Sequence, residues 1–423
     1  MYKNKIFLLV ISSLFLVQIS NSQNNTNSPY TRFGFGDLSD TNSGEQRAMG
    51  GVSIGARASQ NINTVNPASY SVVDSMTFMF DIGTSALISR FSDPTGGKTT
   101  LNANIEYITM QFPLYKWMGF SAGLLPYSFS GYNFFTSDTA TILNNTSEPG
   151  KVAYTKNFSG VGGFSQVYTG VSANLFNHVS LGVNAYYMYG NVNNYRNIDF
   201  GSLSGFTSTT QLNSISASNF RFRFGAQFYN TFAKKHDVTL GVIYEQKAKM
   251  NGTFTQINSG VLTDTVNVPG STDFEMPTIY GLGLYYTFDK KLSVGLDYSM
   301  QGWKDTKFFG KTDSLSNRSK IALGIEYQPD PRSRKFTDKI RYRAGFNMTD
   351  SYYKVDGVTQ PKNFGISFGL GLPLYNKVSN ATSMLNTTFE YGKIGSNTTL
   401  REDYFKFTLN IVFNEHWFFK RKL

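Results

Sequence analysis

Three histidines, His178, His236 and His416, are the first residues to test for chemistry, because imidazole binds metals and moves protons near neutral pH. None has a second histidine at metal-ligand spacing. Cysteine is absent, which excludes thiolate metal sites, disulfides and a lipoprotein anchor. A serine hydrolase needs Ser, His and a polar third member gathered on one wall. His178 and His236 fall in or beside short turns and His416 in the C-terminal tail, which is poor placement for that. Gly281/Gly283 and Gly369/Gly371 have the spacing of a phosphate loop, but no helix pattern follows either pair. No catalysis, metal or cofactor is expected.

The chemistry that stands out is ionic. From Phe220 to Phe232 every second residue is apolar except Asn230, with Arg221 and Arg223 between the phenylalanines. After Ala233 to His236 the alternation restarts: Val238, Leu240, Val242, Tyr244, Ala248 and Met250 on one face, with Glu245, Lys247 and Lys249 on the other. Period two is the signature of a strand, so this is a hairpin with one apolar and one charged wall. The charged wall recurs along the chain. It carries Arg221, Arg223, Lys247, Lys249, Lys320, Arg341, Arg343 and Lys406, and also Asp81, Glu106, Glu245, Glu275, Asp297, Glu326 and Glu390. The opposite face shows no charge at midspan. An Arg or Lys facing lipid costs roughly 2–4 kcal/mol at the bilayer midplane. This sidedness therefore fits a transmembrane β-barrel whose ions point into the lumen.

The elements that would position these charges are strands. Fourteen candidates run over about 77–89, 100–112, 117–130, 163–176, 178–190, 217–232, 237–250, 273–288, 291–304, 315–327, 340–350, 362–374, 383–393 and 402–413. Short connections at 113–116, 177, 233–236 and 289–290 exchange with long ones at 131–162, 191–216 and 251–272. Such a rhythm matches short periplasmic turns and long extracellular loops. The 328–339 turn is longer than that rule expects. Tyr and Phe, 26 and 37 in number, gather near strand ends, as interfacial girdles do. Mean hydropathy is slightly negative, as expected when half of each strand is polar.

The N-terminus supplies the compartment. Lys3 and Lys5 precede an apolar run over 6–17, and Ser20-Asn21-Ser22 offers small residues for cleavage. This predicts a secretory signal over 1–22. The net charge of +11 lies mainly in turns, so no nucleic-acid partner is expected. Residues 23–76 do not alternate, yet hold Phe33, Phe35, Met49, Val52, Ile54 and Tyr70, too apolar for a solvated linker. They are expected to form a compact hatch inside the barrel of residues 77–413, with 414–423 as a periplasmic tail.

Gly44, Ala48-Met49-Gly50-Gly51-Val52, Ala58 and Val65-Asn66-Pro67-Ala68, followed by fourteen strands, resemble the FadL-like outer-membrane transport family. The Asn-, Tyr- and Phe-rich composition and the ending Trp417-Phe418-Phe419-Lys420-Arg421-Lys422 look like Bacteroidota members. The resemblance implies an all-β, fourteen-stranded barrel in a Gram-negative outer membrane, plugged by a hatch whose motif residues here are Met49, Gly50, Gly51, Asn66, Pro67 and Ala68. It implies uptake of a hydrophobic or amphipathic small molecule that enters between outer loops and leaves sideways through a kink in the third strand. That strand carries Gly123, Pro126 and Gly131. A proline cannot donate to the ladder and belongs at edges or bulges, which suits a lateral opening; equally, Pro126 simply ends the regular strand. The charged lumen departs from a greasy tunnel. It suits a locked plug, a route for polar solutes, or a basic site for a carboxylate head. Two functions stay open: a transporter, or a non-transporting subunit of an outer-membrane complex for protein assembly or secretion. Outer-membrane lipid is the expected surrounding partner in both.

Overall fold

The computed structural model describes residues 25–94, 96–142, 150–201, 206–260, 263–266, 273–355, 357–376, 381–396 and 400–416. The expected signal over 1–22 lies outside them, as does the tail from residue 417.

Fourteen antiparallel strands close into one barrel. They are β1 (Thr77–Asp93), β2 (Gly96–Tyr115), β3 (Met118–Ile142), β4 (Gly150–Leu175), β5 (Val179–Asp199) and β6 (Thr209–Phe232). Then come β7 (His236–Glu245 and Ala248–Ser259), β8 (Asp273–Met276 and Ile279–Phe288), β9 (Leu292–Gln301) and β10 (Arg318–Tyr327). The circuit ends with β11 (Arg341–Thr349), β12 (Asn363–Asn376), β13 (Ala381–Gly395) and β14 (Arg401–His416). Pairing of β1 with β14, from Thr77↔His416 to Ser92↔Arg401, closes the wall and leaves its backbone groups satisfied in lipid. The last strand thus runs three residues past the expected end at Phe413, because Asn414 to His416 pair with Thr77 to Met79.

The sidedness is that of a membrane wall. Phe220, Phe222, Phe224 and Phe228 stand exposed on the outside while Arg221 and Arg223 are buried within. Leu282/Leu284, Leu323/Ile325 and Phe405/Phe407 repeat the outward apolar face.

Two expectations need correction. The stretches 131–162, 191–216 and 251–272 are not simple long loops: β3 and β4 continue to Ile142 and from Gly150, β5 to Asp199 and β6 from Thr209, and β7 runs to Ser259 with Thr263–Val266 pairing back on it. These strands of 25, 26, 21 and 24 residues far exceed the roughly 9–11 that cross a bilayer. They form a tall wall on one side. Its upper part is polar on both faces (Asn193 and Asn194, Thr210 and Gln211), so no apolar period marks it as strand. The second correction concerns Lys247, Lys249 and Glu275. The β7 ladder breaks at Gln246-Lys247, opposite Pro277-Thr278 in β8. Across this break, where each strand leaves two residues unpaired, the alternation is inverted. Met250, Phe274 and Met276 turn inward and are buried. Lys247 bonds Glu275 at 2.7 Å and Lys249 faces Asp273 at 3.5 Å on the exposed side.

Candidate functional site

The hatch fills the lumen, and its motif residues are what seat it. Ser43 caps a five-residue helix, Gly44–Ala48, in a reciprocal box: Gln46 N donates to Ser43 Oγ, and Ser43 N donates to Gln46 Oε1 at 2.9 Å. Gly50 and Gly51 follow at φ +69° and +93°, a region that costs a side-chain-bearing residue about 1–2 kcal/mol. The Gly50 amide donates to Ser367 Oγ at 3.0 Å, and Met49 packs with Val52 and Ala322. Asn66 is fully buried on the other side of the lumen. Its Oδ1 accepts from Ala68 N at 3.1 Å and its Nδ2 donates to Ile54 O at 2.8 Å. Pro67 opens the 3-10 turn Pro67–Val72, where its missing N–H costs nothing. The two halves of the motif thus dock against different arcs of the wall, β10–β12 and β4–β6.

Ion pairs tie neighbouring strands of the wall together and bolt the hatch to it. Arg221 and Arg223 share Glu245 at 2.5 and 2.9 Å, and Arg221 also donates to Gln166 at 2.8 Å. Arg343 reaches Glu326 at 2.6 Å and hatch Glu45 at 3.1 Å; Arg341 donates to hatch Gln60 at 3.0 Å. Hatch Arg47 and wall Lys406 clasp Glu106 at 2.8 and 2.6 Å. Asp297 accepts from the Ser53 and Ile54 amides of the hatch at 2.6 and 2.7 Å. Hatch Asp40 meets Lys320 at 2.6 Å and Arg318 at 3.6 Å. Burial works to raise the Asp40 carboxyl, but the two cations outweigh it and hold it well below the usual carboxylate range.

Above this layer an apolar seal closes the far end. Phe35, at the tip of the hatch, is buried edge-on against Phe308 and Phe164, with ring centroids 5.0 and 5.7 Å apart, and near Trp303 at 5.8 Å. Tyr352 accepts from the Phe35 amide at 2.9 Å and donates to Gly36 O. Trp303, Phe308 and Tyr352 belong to outer loops, where no periodicity flags them; three aromatics in otherwise polar loops were the available signal. Among the described residues, the space between hatch and wall includes cavities of about 180 and 100 Å³. Both are lined by ions, Asp37, Glu402 and Lys406 in the first, Arg221, Asp297 and Lys320 in the second.

The third strand breaks the regular wall. The β2–β3 ladder runs from Tyr115↔Met118 to Ile108↔Leu124 and stops there. Above it β3 stays paired with β4 up to Ile142↔Gly150, while β2 stays paired with β1 up to Gly96. The hatch crosses the gap from inside. Its residues Asp37 and Leu38 add to the β3 edge opposite Phe129 and Ser128. Gly123 is still in the β2–β3 ladder, opposite Thr109. Pro126 sits at a bulge between Pro126 and Ser128, so it interrupts the strand without ending it. Gly131 N donates to hatch Thr31 Oγ1 at 3.1 Å. Neither the Asp37–Leu38 pairing nor the role of Asp40 was visible in the non-periodic hatch sequence.

His178 lies beside Tyr229 O and His236 beside Tyr286 Oη, at 3.2 and 2.7 Å. Among the described residues no three His, Asp or Glu side chains gather as metal ligands.

A closed fourteen-stranded barrel holding an N-terminal hatch is the FadL-like outer-membrane architecture. Solved structures of that fold align over nearly the whole chain. A FadL homologue of Pseudomonas aeruginosa matches with a TM-score of 0.55 and 11% identity, covering 90% of this chain and 100% of its own. The Ralstonia pickettii toluene transporter TbuX matches at 0.56 and 14%, covering 89% and 98%. The Pseudomonas putida toluene transporter TodX also gives 0.56 and 14%, covering 88% and 98%. The BamG family model matches residues 1–423, and the chain belongs to that family. No curated protein matches in sequence.

Proposed function

We propose that the protein is a closed scaffold barrel: a non-transporting subunit of an outer-membrane complex for protein assembly or secretion. The observation that carries this reading is the filled lumen. A hatch held by buried ion pairs and sealed by Phe35, Trp303 and Tyr352 leaves ion-lined cavities of about 180 and 100 Å³ against the wall, and the recess of about 690 Å³ at the short-turn end is open and mostly polar-lined. Pockets that hold small ligands are roughly 300–1,000 Å³ and mostly apolar. Membership of the BamG family points the same way. Mild-detergent purification from native membranes is the test. Stoichiometric protein partners are expected; a lone barrel carrying a hydrophobic small molecule refutes the proposal.

A second reading is lateral transport of a hydrophobic or amphipathic molecule into the membrane. It is favoured by the end of the β2–β3 ladder at Ile108↔Leu124, with Gly123, Pro126 and Gly131 shaping the strand beside the gap. The strap from Asn25 to Leu38 would have to leave before anything passed.

A further inference from the structure

The short-turn end of the barrel, periplasmic in this class, opens into a mouth of about 690 Å³. Its floor is hatch residues 71–75, and its sides are the ends of β4, β6, β7 and β8. The rim is rigid because neighbouring turns bond to one another. Asn174 N donates to Trp117 O at 2.7 Å, Tyr229 N to His178 O at 2.9 Å, and Asp289 N to Lys235 O at 2.7 Å.

Arg57 of the hatch lines this mouth. It lies 4.2 Å from the Tyr229 ring centroid and donates to Ala68 O, Gln227 Oε1 and Ser71 Oγ at 3.2–3.3 Å. All these partners are neutral. Burial pushes the guanidinium below its ordinary value, with Tyr229 pulling the other way. Arg47, Arg221, Arg223 and Arg343 each have a carboxylate; among the described residues Arg57 has none. Arg57 is half-buried at the edge of the open mouth, so an anion brought to it would meet a cation that has no counter-charge among the described residues. The charges lining the mouth balance, Arg57 and Lys116 against Asp74 and Asp237, and the positive excess lies on the rim. Lys116 lines the mouth, and exposed Lys234, Lys235 and Lys290 on the adjoining turns have no ion pair among the described residues. Asp74 and Asp237 also line it, Asp237 being engaged by Thr231 Oγ1 at 2.6 Å. The chain's own ending carries Lys420, Arg421 and Lys422, the wrong sign for this place.

We propose that the mouth receives an acidic, extended segment of a periplasmic partner protein, one carboxylate seating on Arg57 and its neighbours on the lysine rim. The rigid rim lowers the ordering cost of binding. The proposal rests on the complex-subunit reading above and names the surface that would serve it.

The test uses the full chain in nanodiscs of zwitterionic lipid and a fluorescent peptide of alternating Glu and Val. Fluorescence anisotropy should register binding that weakens with salt. Binding should fall at least tenfold with Arg57→Gln and be largely kept with Arg57→Lys; an alternating Lys–Val peptide should not bind. Equal thermal midpoints for the two variants keep a folding defect from imitating this result. Absent binding, or binding indifferent to Arg57→Gln, overturns the inference. So does a barrel that retains phosphatidylglycerol through the rim lysines while ignoring the peptide, which makes the rim a headgroup contact. The failures are separable. Native partners that persist in Arg57→Gln sink this surface and leave the subunit reading standing. A wild-type barrel without native partners sinks the subunit reading itself.

Discussion

Gly50 of the hatch and Gly345 of β11 meet backbone to backbone: a methyl group built on Gly345 would land on the Gly50 amide. Gly50 is equally confined, since a Cβ there would stand 2.5 Å from Phe346 O. Forcing one carbon into such a contact typically costs about 1–3 kcal/mol. Gly345→Ala should therefore lower the thermal unfolding midpoint in detergent. Gly96→Ala, where nothing lies within 4 Å, should leave it unchanged. Equal midpoints for the two variants would mean the hatch does not rest on β11 as described.

Glu245 serves two arginines at once, and both it and Arg221 are almost wholly buried. Removing one partner of a buried pair strands the other and costs about 3–5 kcal/mol. Glu245→Gln should destabilise by that order in denaturant titration. Arg221→Gln added to it should cost less than the sum of the singles, because one of the two stranded charges disappears. Strict additivity would show that the pair does not couple.

These two sites differ in how visible they are in the sequence. All fourteen strands announce themselves, because a lipid-facing wall demands an apolar residue at every second position; Phe220 to Phe228 is the plainest case. Arg221, Arg223 and Glu245 inherit their inward direction from that alternation. Lys247 and Lys249 do not, because the alternation inverts across the unpaired break at Gln246-Lys247 while composition stays the same. The tall wall of β3–β6 is silent for a related reason: water on both faces removes the contrast. The hatch has the motif Met49-Gly50-Gly51 and Asn66-Pro67-Ala68 but no period. Its contacts, such as Asp37 against Phe129 or Asp40 against Lys320, join positions about 90 and 280 apart that no local pattern relates.

Asp40 makes the seating of the hatch depend on acid. Its carboxyl sits below the unfolded value of about 3.9, because Lys320 and Arg318 outweigh burial. A depressed carboxylate contributes stability that is complete above the unfolded pKa and fades as pH falls through the folded one. Wild type should therefore exceed Asp40→Asn in thermal midpoint at pH 7, and the gap should narrow by pH 3. A gap that widens on acidification would contradict the assignment.

The short turns carry backbone strain. Ala233 and Lys234 hold φ of +47° and +61°, as do Phe176-Asn177 and Asp289-Lys290 with similar values. Each of these turns leaves three residues between its last paired positions, the first two at positive φ, where Asn, Asp and Gly are favoured. Ala233→Asn should stabilise by about 0.5–1 kcal/mol, since Asn tolerates positive φ better than Ala. A lower midpoint for this variant would show that Ala233 is held by contacts outside the turn.

The seat of Leu38 opposite Ser128 separates the two functional readings. Directly opposed residues in an antiparallel pair have Cβ atoms about 4.5–5.5 Å apart, close enough for a short thiol-bridging reagent. The chain has no cysteine of its own, so Leu38→Cys with Ser128→Cys gives a clean background. Bridging this pair staples the strap across the gap between β2 and β3. A scaffold works with the strap in place, so partner stoichiometry and cell growth should be indifferent to bridging. A lateral transporter needs the strap to leave, so bridging would abolish uptake of a hydrophobic dye that the reduced protein admits. Loss of uptake on bridging, restored by reversing the link, would move the assignment from scaffold to transporter.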